Sequence, residues 1–157
     1  MKWLLLFCLG VLGLPVRAAL INASSPEQAE VQSRRDSASD GDIIFVPAGS
    51  ANWTNTFVFG NKSISLIAAG IGQTIITPTR AGPPGSTLIS ATPTNGLLRI
   101  HGFSFRNTVE TWSTSGGIFM SVIGNSQTTT NGTLVRIDSN EFVNIHQDTL
   151  HLQNVLG

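Results

Sequence analysis

The chain has 157 residues, of which 9 are basic and 9 acidic, and its one cysteine is Cys8. No block of like charge occurs, so nucleic acid is not expected as a partner. Beyond the N-terminal segment no cysteine remains, which excludes a disulfide scaffold and a cysteine-based zinc site. A chain with so few charges and so many Gly, Ser, Thr and Asn residues needs long ladders of backbone hydrogen bonds, with the small polar residues in turns.

The N-terminal segment has the features of a secretory signal. A positive charge precedes an apolar run over residues 3–14, and the tripeptide VRA at 16–18 resembles a signal-peptidase site. We therefore expect residues 1–19 to be a signal peptide, cut after Ala18 or Ala19, and the protein to be secreted, either extracellular or periplasmic. Since the run is short for a bilayer span, no membrane partner is expected after cleavage; an uncleaved anchor is the alternative.

Residues 26–39 form the segment with helical features. Ser25 can cap the helix, and Pro26 suits its first position. The apolar stripe is thin, consisting of Ala29, Val31 and Ala38. We predict one short helix here.

After the helix, the pattern changes to short apolar runs separated by turn residues, which predicts strands. The runs recur at intervals of about thirty residues, inside the range typical of solenoids. We assign them to three series: 64–67, 97–100 and 134–137; then 43–46, 74–77, 103–106 and 141–145; then 57–59, 87–90, 117–122 and 149–152.

An internal echo supports a solenoid. Residues 97–107 (LLRIHGFSFRN) and 134–144 (LVRIDSNEFVN) share five of eleven positions at a spacing of 37. Alternation along the strands predicts which side chains point inward: Leu98 with Val135, Ile100 with Ile137, Phe105 with Phe142, and Phe103. Arg99 and Ser104 are predicted to point outward. Asn107 and Asn144 are predicted to occupy a corner. We predict an all-β fold, a parallel β-helix of three strands per coil. An antiparallel β-sandwich also explains many short strands, but it does not explain the echo.

The stretch over residues 39–76 resembles the opening coils of secreted right-handed parallel β-helix proteins of the pectin/pectate lyase-like superfamily. The resemblance is carried by a Gly-Asp turn at 41–42, a Pro-Ala-Gly turn at 47–49, a strand pair ending in glycine at 62–70, and the RI-x4-F elements at 99–105 and 136–142. It implies a right-handed β-helix whose N-terminal end is capped by an amphipathic helix. Arg34 and Arg35 depart from the family, which has small or apolar residues there; we expect a rotated or looser helix.

The coil pattern is still running at Gly157, and no polar C-terminal cap follows, although solenoids need one. We expect residues 20–157 to be the N-terminal coils of a longer protein from which C-terminal coils are missing. The alternative is that another subunit covers this end.

The resemblance implies a carbohydrate-active protein, a polysaccharide lyase or glycosidase acting on acidic polysaccharide. Lyases of the superfamily often use an Arg or Lys base and carboxylate-bound calcium, and hydrolases of the same fold use two or three Asp residues as acid and base. Because one fold hosts many functions, the alternative is a non-catalytic surface or adhesive β-helix that binds glycans.

Polar residues that could bind an acidic sugar collect near the C-terminus: Arg136, Asp138, Glu141, His146, Asp148 and His151. By the echo, Arg99 and His101 stack one coil below Arg136 and Asp138. The binding candidates are Arg99, Arg136, Asp138 and Asp148, with Asp138 or Asp148 as a calcium ligand in the case of a lyase; the alternative is an ordinary solvated face.

Two further patterns remain. Trp112, in the connection over residues 107–116, is a candidate for stacking on a sugar ring. The spacing of His146, Asp148 and His151 lacks the further ligand that a zinc site needs, so no metal site is predicted there. No catalytic residue is assigned.

Overall fold

The computed structural model describes residues 17–79, 87–107, 118–124, 133–145 and 148–155. Most of the predicted signal peptide, together with Trp112 and His146, lies outside these ranges, and for Asp148 the description covers the backbone alone.

The described chain is built from short strands and one helix. In chain order these are β1 (Leu20–Asn22), α1 (Gln28–Ser37), β2 (Ile43–Val46), β3 (Gly49–Trp53), β4 (Phe57–Gly60), β5 (Ser65–Ala68), β6 (Thr74–Pro78), β7 (Ile89–Ala91), β8 (Leu97–His101), β9 (Phe103–Arg106), β10 (Ile118–Ile123), β11 (Leu134–Asp138), β12 (Glu141–Val143) and β13 (Asp148–Gln153).

The strands form three sheets in which the pairing is parallel. The first sheet has the order β1-β2-β5-β8-β11, the second β3-β6-β9-β12, and the third β4-β7-β10-β13. From β2 onward, successive strands visit the three sheets in turn, so each set of three makes one coil that stacks on the coil before it. This arrangement confirms the predicted parallel β-helix, and the antiparallel sandwich is wrong.

The echo sets the register of the last two described coils. Leu134 pairs with Leu97, Asp138 with His101 and Phe142 with Phe105, so the spacing of 37 residues holds across the first and second sheets. The corner between those sheets is short in both coils. Gly102 (φ 84°) lies between β8 and β9, and a Cβ there would approach the Ala68 carbonyl oxygen at 3.0 Å.

One strand was assigned to the wrong series. Residues 43–46 were predicted in the second series, but β2 pairs with β5 in the first sheet. The second sheet instead begins with β3, which the sequence did not reveal because its residues GSANW are mostly small and polar. β1 was likewise not predicted.

The core lies between the sheets and follows the predicted alternation. Leu98, Ile100, Phe103 and Phe105 are fully buried. The ring of Phe105 lies 5.3–5.5 Å from the rings of Phe103, Phe119 and Phe142. Such contacts stabilise aromatic pairs beyond their buried area.

Ser104 was predicted to be exposed and is instead buried. Its strand position is outward, but the turn before β6 covers it, and its Oγ accepts a hydrogen bond of 2.8 Å from the Gly72 backbone N–H. Alternation predicts the direction of a side chain in a strand; it does not predict what lies over that side chain.

The last described coil continues the inward columns without a further coil above it. Val135, Ile137 and Phe142 are half-buried. Leu150 and Leu152 pair with the buried Met120 and Val122 but are 41% and 45% exposed. Within the described residues, the inward side chains of this coil are therefore less covered than their partners one coil below.

Helix α1 covers the N-terminal end of the stack. It is shorter than predicted, and its N-cap residue is Glu27, with no side-chain cap, so the prediction of Ser25 as cap is wrong. Val31 and Ala38 are buried, whereas Ala29, predicted in the same stripe, is exposed. The helix contributes few apolar contacts, so polar contacts hold it in place.

Those polar contacts join α1 to the edge of β4 and to the turn that precedes it. The Gln32 side-chain amide donates to the Val58 carbonyl (3.1 Å) and accepts from the Val58 N–H (3.0 Å). Gln28 exchanges similar bonds with Asn55, and Arg35 Nε donates to the Phe59 carbonyl at 2.8 Å. These three residues lie at i, i+4 and i+7, one face of the helix. Their side chains occupy the position that a neighbouring strand would take.

Candidate functional site

The outer face of the first sheet carries the predicted polar residues of β8 and β11. Arg136 pairs with Arg99, and Asp138 pairs with His101. Because alternate residues of a strand point to the same side, these four side chains share one surface opposite the buried Leu98 and Ile100. We call them the Arg–Asp–His cluster.

Asp138 is the centre of this cluster. Arg99 binds its carboxylate through two nitrogens, with Nε 2.9 Å from Oδ1 and Nη2 2.8 Å from Oδ2. His101 Nδ1 lies 2.9 Å from Oδ2, and Arg136 Nε lies 3.2 Å from Oδ1. A bidentate arginine–carboxylate pair is among the stronger polar contacts in proteins.

The cations set the protonation of Asp138. Hydrogen bonds from Arg99, followed by the bond to His101 and the charges of Arg99 and Arg136, hold the pKa of the Asp138 carboxyl far below its usual range. The bond to Asp138 in turn raises the pKa of the Arg99 guanidinium. Asp138 is therefore ionised and fully engaged, which suits neither a proton donor nor a calcium ligand that must offer free oxygens.

The cluster has an excess of positive charge. Two arginines share one carboxylate, and Arg136 has a side chain that is 62% exposed. Among the described contacts Arg136 reaches Asp138 through Nε, so its two Nη groups are available to an anion. A planar guanidinium in this situation is suited to a carboxylate or sulfate group.

The contact with Asp138 also fixes the tautomer of His101. An ionised carboxylate can only accept a hydrogen bond, so Nδ1 carries the hydrogen and the lone pair of the neutral ring is on Nε2. Arg99 Nη2 also lies 3.2 Å from Nδ1; two donors cannot bond each other, so this short distance arises because both nitrogens share Asp138.

The same outer face is apolar in the earlier coils. Phe45 pairs with Ile67 and Ile67 pairs with His101, which places all three in one outward column. Phe45 and Ile67 are half-buried, as is Ile43 beside them. Sequence reasoning missed these residues because 43–46 was assigned to another sheet and because its four apolar residues show no alternation.

The other predicted candidates lie elsewhere. Glu141 is on the second sheet, where Arg106 binds it at 2.8 and 3.0 Å. Asp148 pairs with Ile118 and His151 with Ser121, both in the third sheet. The structure thus brings Arg99, Arg136 and Asp138 together and places Asp148 on a different sheet. Trp112 is outside the described residues.

Among the described residues, neither a metal-binding cluster nor a cleft adds to this site. Within the described ranges, no group of three His, Cys, Asp or Glu residues could hold a metal ion. An open cleft of about 350 Å³ lies between α1 and the β3–β4 turn. It is lined by the amides of Gln28 and Gln32, which already bind the backbone of the β3–β4 turn and of β4, so we assign the cleft to the packing of the helix.

Comparison with known proteins yields no relative: no protein-family model, curated protein or solved structure matches this chain. The single described helix, α1, is too short and too polar to cross a membrane.

Proposed function

We propose that this protein is secreted and binds acidic polysaccharide on the outer face of its first sheet. The observation that carries the proposal is the exposed guanidinium of Arg136, held beside the Arg99–Asp138 pair. Asp138 neutralises one of the two arginines, so the surface retains net positive charge that an anionic sugar can meet.

The neighbouring apolar column favours a sugar over a small anion. Phe45 and Ile67 lie in the column that leads to His101, and Phe45 provides an aromatic ring for the apolar face of a sugar. A polymer lying along the stack would cross this surface and the Arg–Asp–His cluster in succession. Binding sites commonly combine apolar surface with a few polar groups that set orientation.

A lyase activity is the second candidate, and the His101–Asp138 contact favours it. His101 Nε2 would remove the proton from the carbon beside a uronate carboxylate, while Arg136 binds that carboxylate. The electron pair of the broken C–H bond forms a carbon–carbon double bond, and the adjacent C–O bond breaks. Water gives a proton to the leaving oxygen, and the resulting hydroxide takes the proton from His101, which restores the base. The remaining alternative is an adhesive β-helix that binds glycans without cleaving them.

Binding is tested by affinity electrophoresis of the secreted protein on polygalacturonate, alginate and a neutral glucan. Arg136→Gln removes the exposed cation, and Arg106→Gln removes one positive charge from the second sheet as a matched control. We expect retardation on the acidic polymers, weakened about tenfold or more by the first variant, as for loss of a charge-assisted hydrogen bond. If the two variants weaken binding equally, binding depends on the overall charge of the protein and not on the position of Arg136, and the proposal is overturned.

Catalysis is tested on the same polymers, with and without calcium, by following the absorbance of unsaturated uronate ends. A lyase produces this absorbance, and His101→Gln abolishes it while binding persists. A protein that binds without producing the absorbance is not a lyase, and the binding proposal then stands by itself.

A further inference from the structure

The backbone nitrogen of Ala19 lies against a buried carboxylate. It donates a hydrogen bond of 2.7 Å to Asp42 Oδ1, and the Ser39 N–H donates to Oδ2 at 2.8 Å. Asp42 is only 8% exposed. A carboxylate so removed from water requires strong partners, because unpaired buried charge is costly.

Ala19 is also the residue at which the chain joins the first sheet. Its carbonyl accepts a hydrogen bond of 2.8 Å from the Ile43 N–H, and the next residue, Leu20, begins β1. Both backbone groups of Ala19 are therefore bonded, the carbonyl to the first sheet and the N–H to the Asp42 side chain. A chain that began at Leu20 would lose both bonds and would leave Asp42 with one partner fewer.

We propose that the signal is cleaved between Ala18 and Ala19, and that the new α-ammonium group of Ala19 binds Asp42 as a structural ion pair. This inference rests on the proposed secretion. Hydrolysis of the peptide bond turns a neutral N–H donor into a cation at the same position, so the existing contact becomes charge-assisted. The cleavage rule agrees: this cut leaves Val16 and Ala18 at the recognised positions, whereas a cut after Ala19 would place Arg17 there.

The charged groups around Asp42 leave room for this cation. Lys62, from the turn after β4, directs its Nζ to the carbonyls of Arg35, Asp36 and Ala38 at the end of α1. Asp40 accepts from the Ser63 N–H at 2.8 Å. Hydrogen bonds from Ser39 and Ala19 lower the pKa of Asp42, with a smaller effect from the charge of Lys62. Asp42 is thus ionised at neutral pH.

The first experiment measures the cut. The full chain is expressed in a secreting host, and the exported protein is analysed by intact mass and N-terminal sequencing. We expect a single species that begins at Ala19. Export with a first residue other than Ala19 overturns this inference and leaves the secretion proposal standing. A protein that stays in the cell and keeps residues 1–19 overturns both.

The second experiment measures the ion pair without relying on export. A chain beginning at Ala19 is released from a cleavable fusion, and half of it is N-acetylated, which preserves the N–H donor and removes the charge. At pH 6 we expect acetylation to raise the unfolding equilibrium constant about fivefold, the difference between a neutral and a charge-assisted bond. In Asp42→Asn the effect of acetylation should vanish. If the free and acetylated chains unfold at the same urea concentration, the ion pair does not exist.

The pH dependence has a defined sign. An α-amino group titrates near pH 8 in an unfolded chain, and pairing with Asp42 raises its pKa in the folded protein. The extra stability is therefore complete below about pH 8 and is lost as the pH rises through the folded pKa. The difference in the free energy of unfolding between the free and acetylated chains should therefore disappear at alkaline pH. A difference that persists unchanged there contradicts the assignment to the ammonium group.

Discussion

Phe105 and Phe142 occupy the same place in successive coils, so one substitution made at each measures how far the core extends. Both rings point inward and face each other at 5.4 Å. Phe105 has a coil on either side and is fully buried, whereas Phe142 is half-buried in the last described coil. Replacing each with alanine removes the same atoms, once from a fully buried site and once from a partly buried site.

The expected losses differ in size. Removing a fully buried phenylalanine ring costs about 3–5 kcal/mol, because burial is lost and a cavity remains. At Phe142 most of that burial is present, but water can enter the space that the ring leaves, so about 2–3 kcal/mol is expected. With a urea dependence of about 2 kcal/mol per molar, the unfolding midpoint falls by about 2 M for Phe105→Ala and by about 1–1.5 M for Phe142→Ala.

The assay is urea unfolding followed by circular dichroism, with Ile71→Ala as a control. Ile71 is 51% exposed, so its truncation should change the midpoint little. If Phe142→Ala lowers the midpoint as much as Phe105→Ala, Phe142 is as well covered as Phe105. That result would refute the inference that Phe142 is less covered than Phe105.

Three further predictions concern single residues. Because the pKa of Asp138 is lowered in the folded protein, this carboxylate stabilises the fold above about pH 4, and that stability is lost as the pH falls. Asp138→Asn should therefore make the free energy of unfolding, measured by urea melts, depend less on pH in acid. An unchanged pH dependence contradicts this. Gln32→Ala should cost about 1–2 kcal/mol and speed hydrogen exchange at the Val58 amide, whereas exposed Ser33→Ala should not. Ser139→Gly should stabilise by about 0.5–1 kcal/mol in thermal melts, because Ser139 has φ 54°; a lower melting temperature would show that its side chain is needed.

The fold could be predicted where a pattern repeats. The echo sets both the register of β8 with β11 and the inward direction of Phe105, because stacked coils place equivalent residues over one another. Where the repeat is absent the prediction failed. The run 43–46 is apolar at every position, so it shows neither its face nor its sheet, and β3 has too few apolar residues to be recognised as a strand.

The site was predicted in part for the same reason. Arg99, Arg136 and Asp138 lie on paired strands that the echo aligns, so their proximity followed from the sequence. Glu141 is only three residues beyond Asp138, yet the corner at Ser139 turns the chain onto another sheet. A corner of one or two residues leaves little signal in the sequence. The polar residues that are close together in sequence near the C-terminus therefore lie on three different sheets.

Because α1 closes the N-terminal end, the coils can also fold in order from the N-terminus. Gln32 and Arg35 satisfy the outer edge of β4 with side chains that precede it in the chain, so that edge needs nothing made later. Each later coil pairs with one already present, and contacts in a solenoid are confined to neighbours. A chain emerging N-terminus first from a ribosome or an export channel can thus add coils in the order of synthesis, each on a finished template.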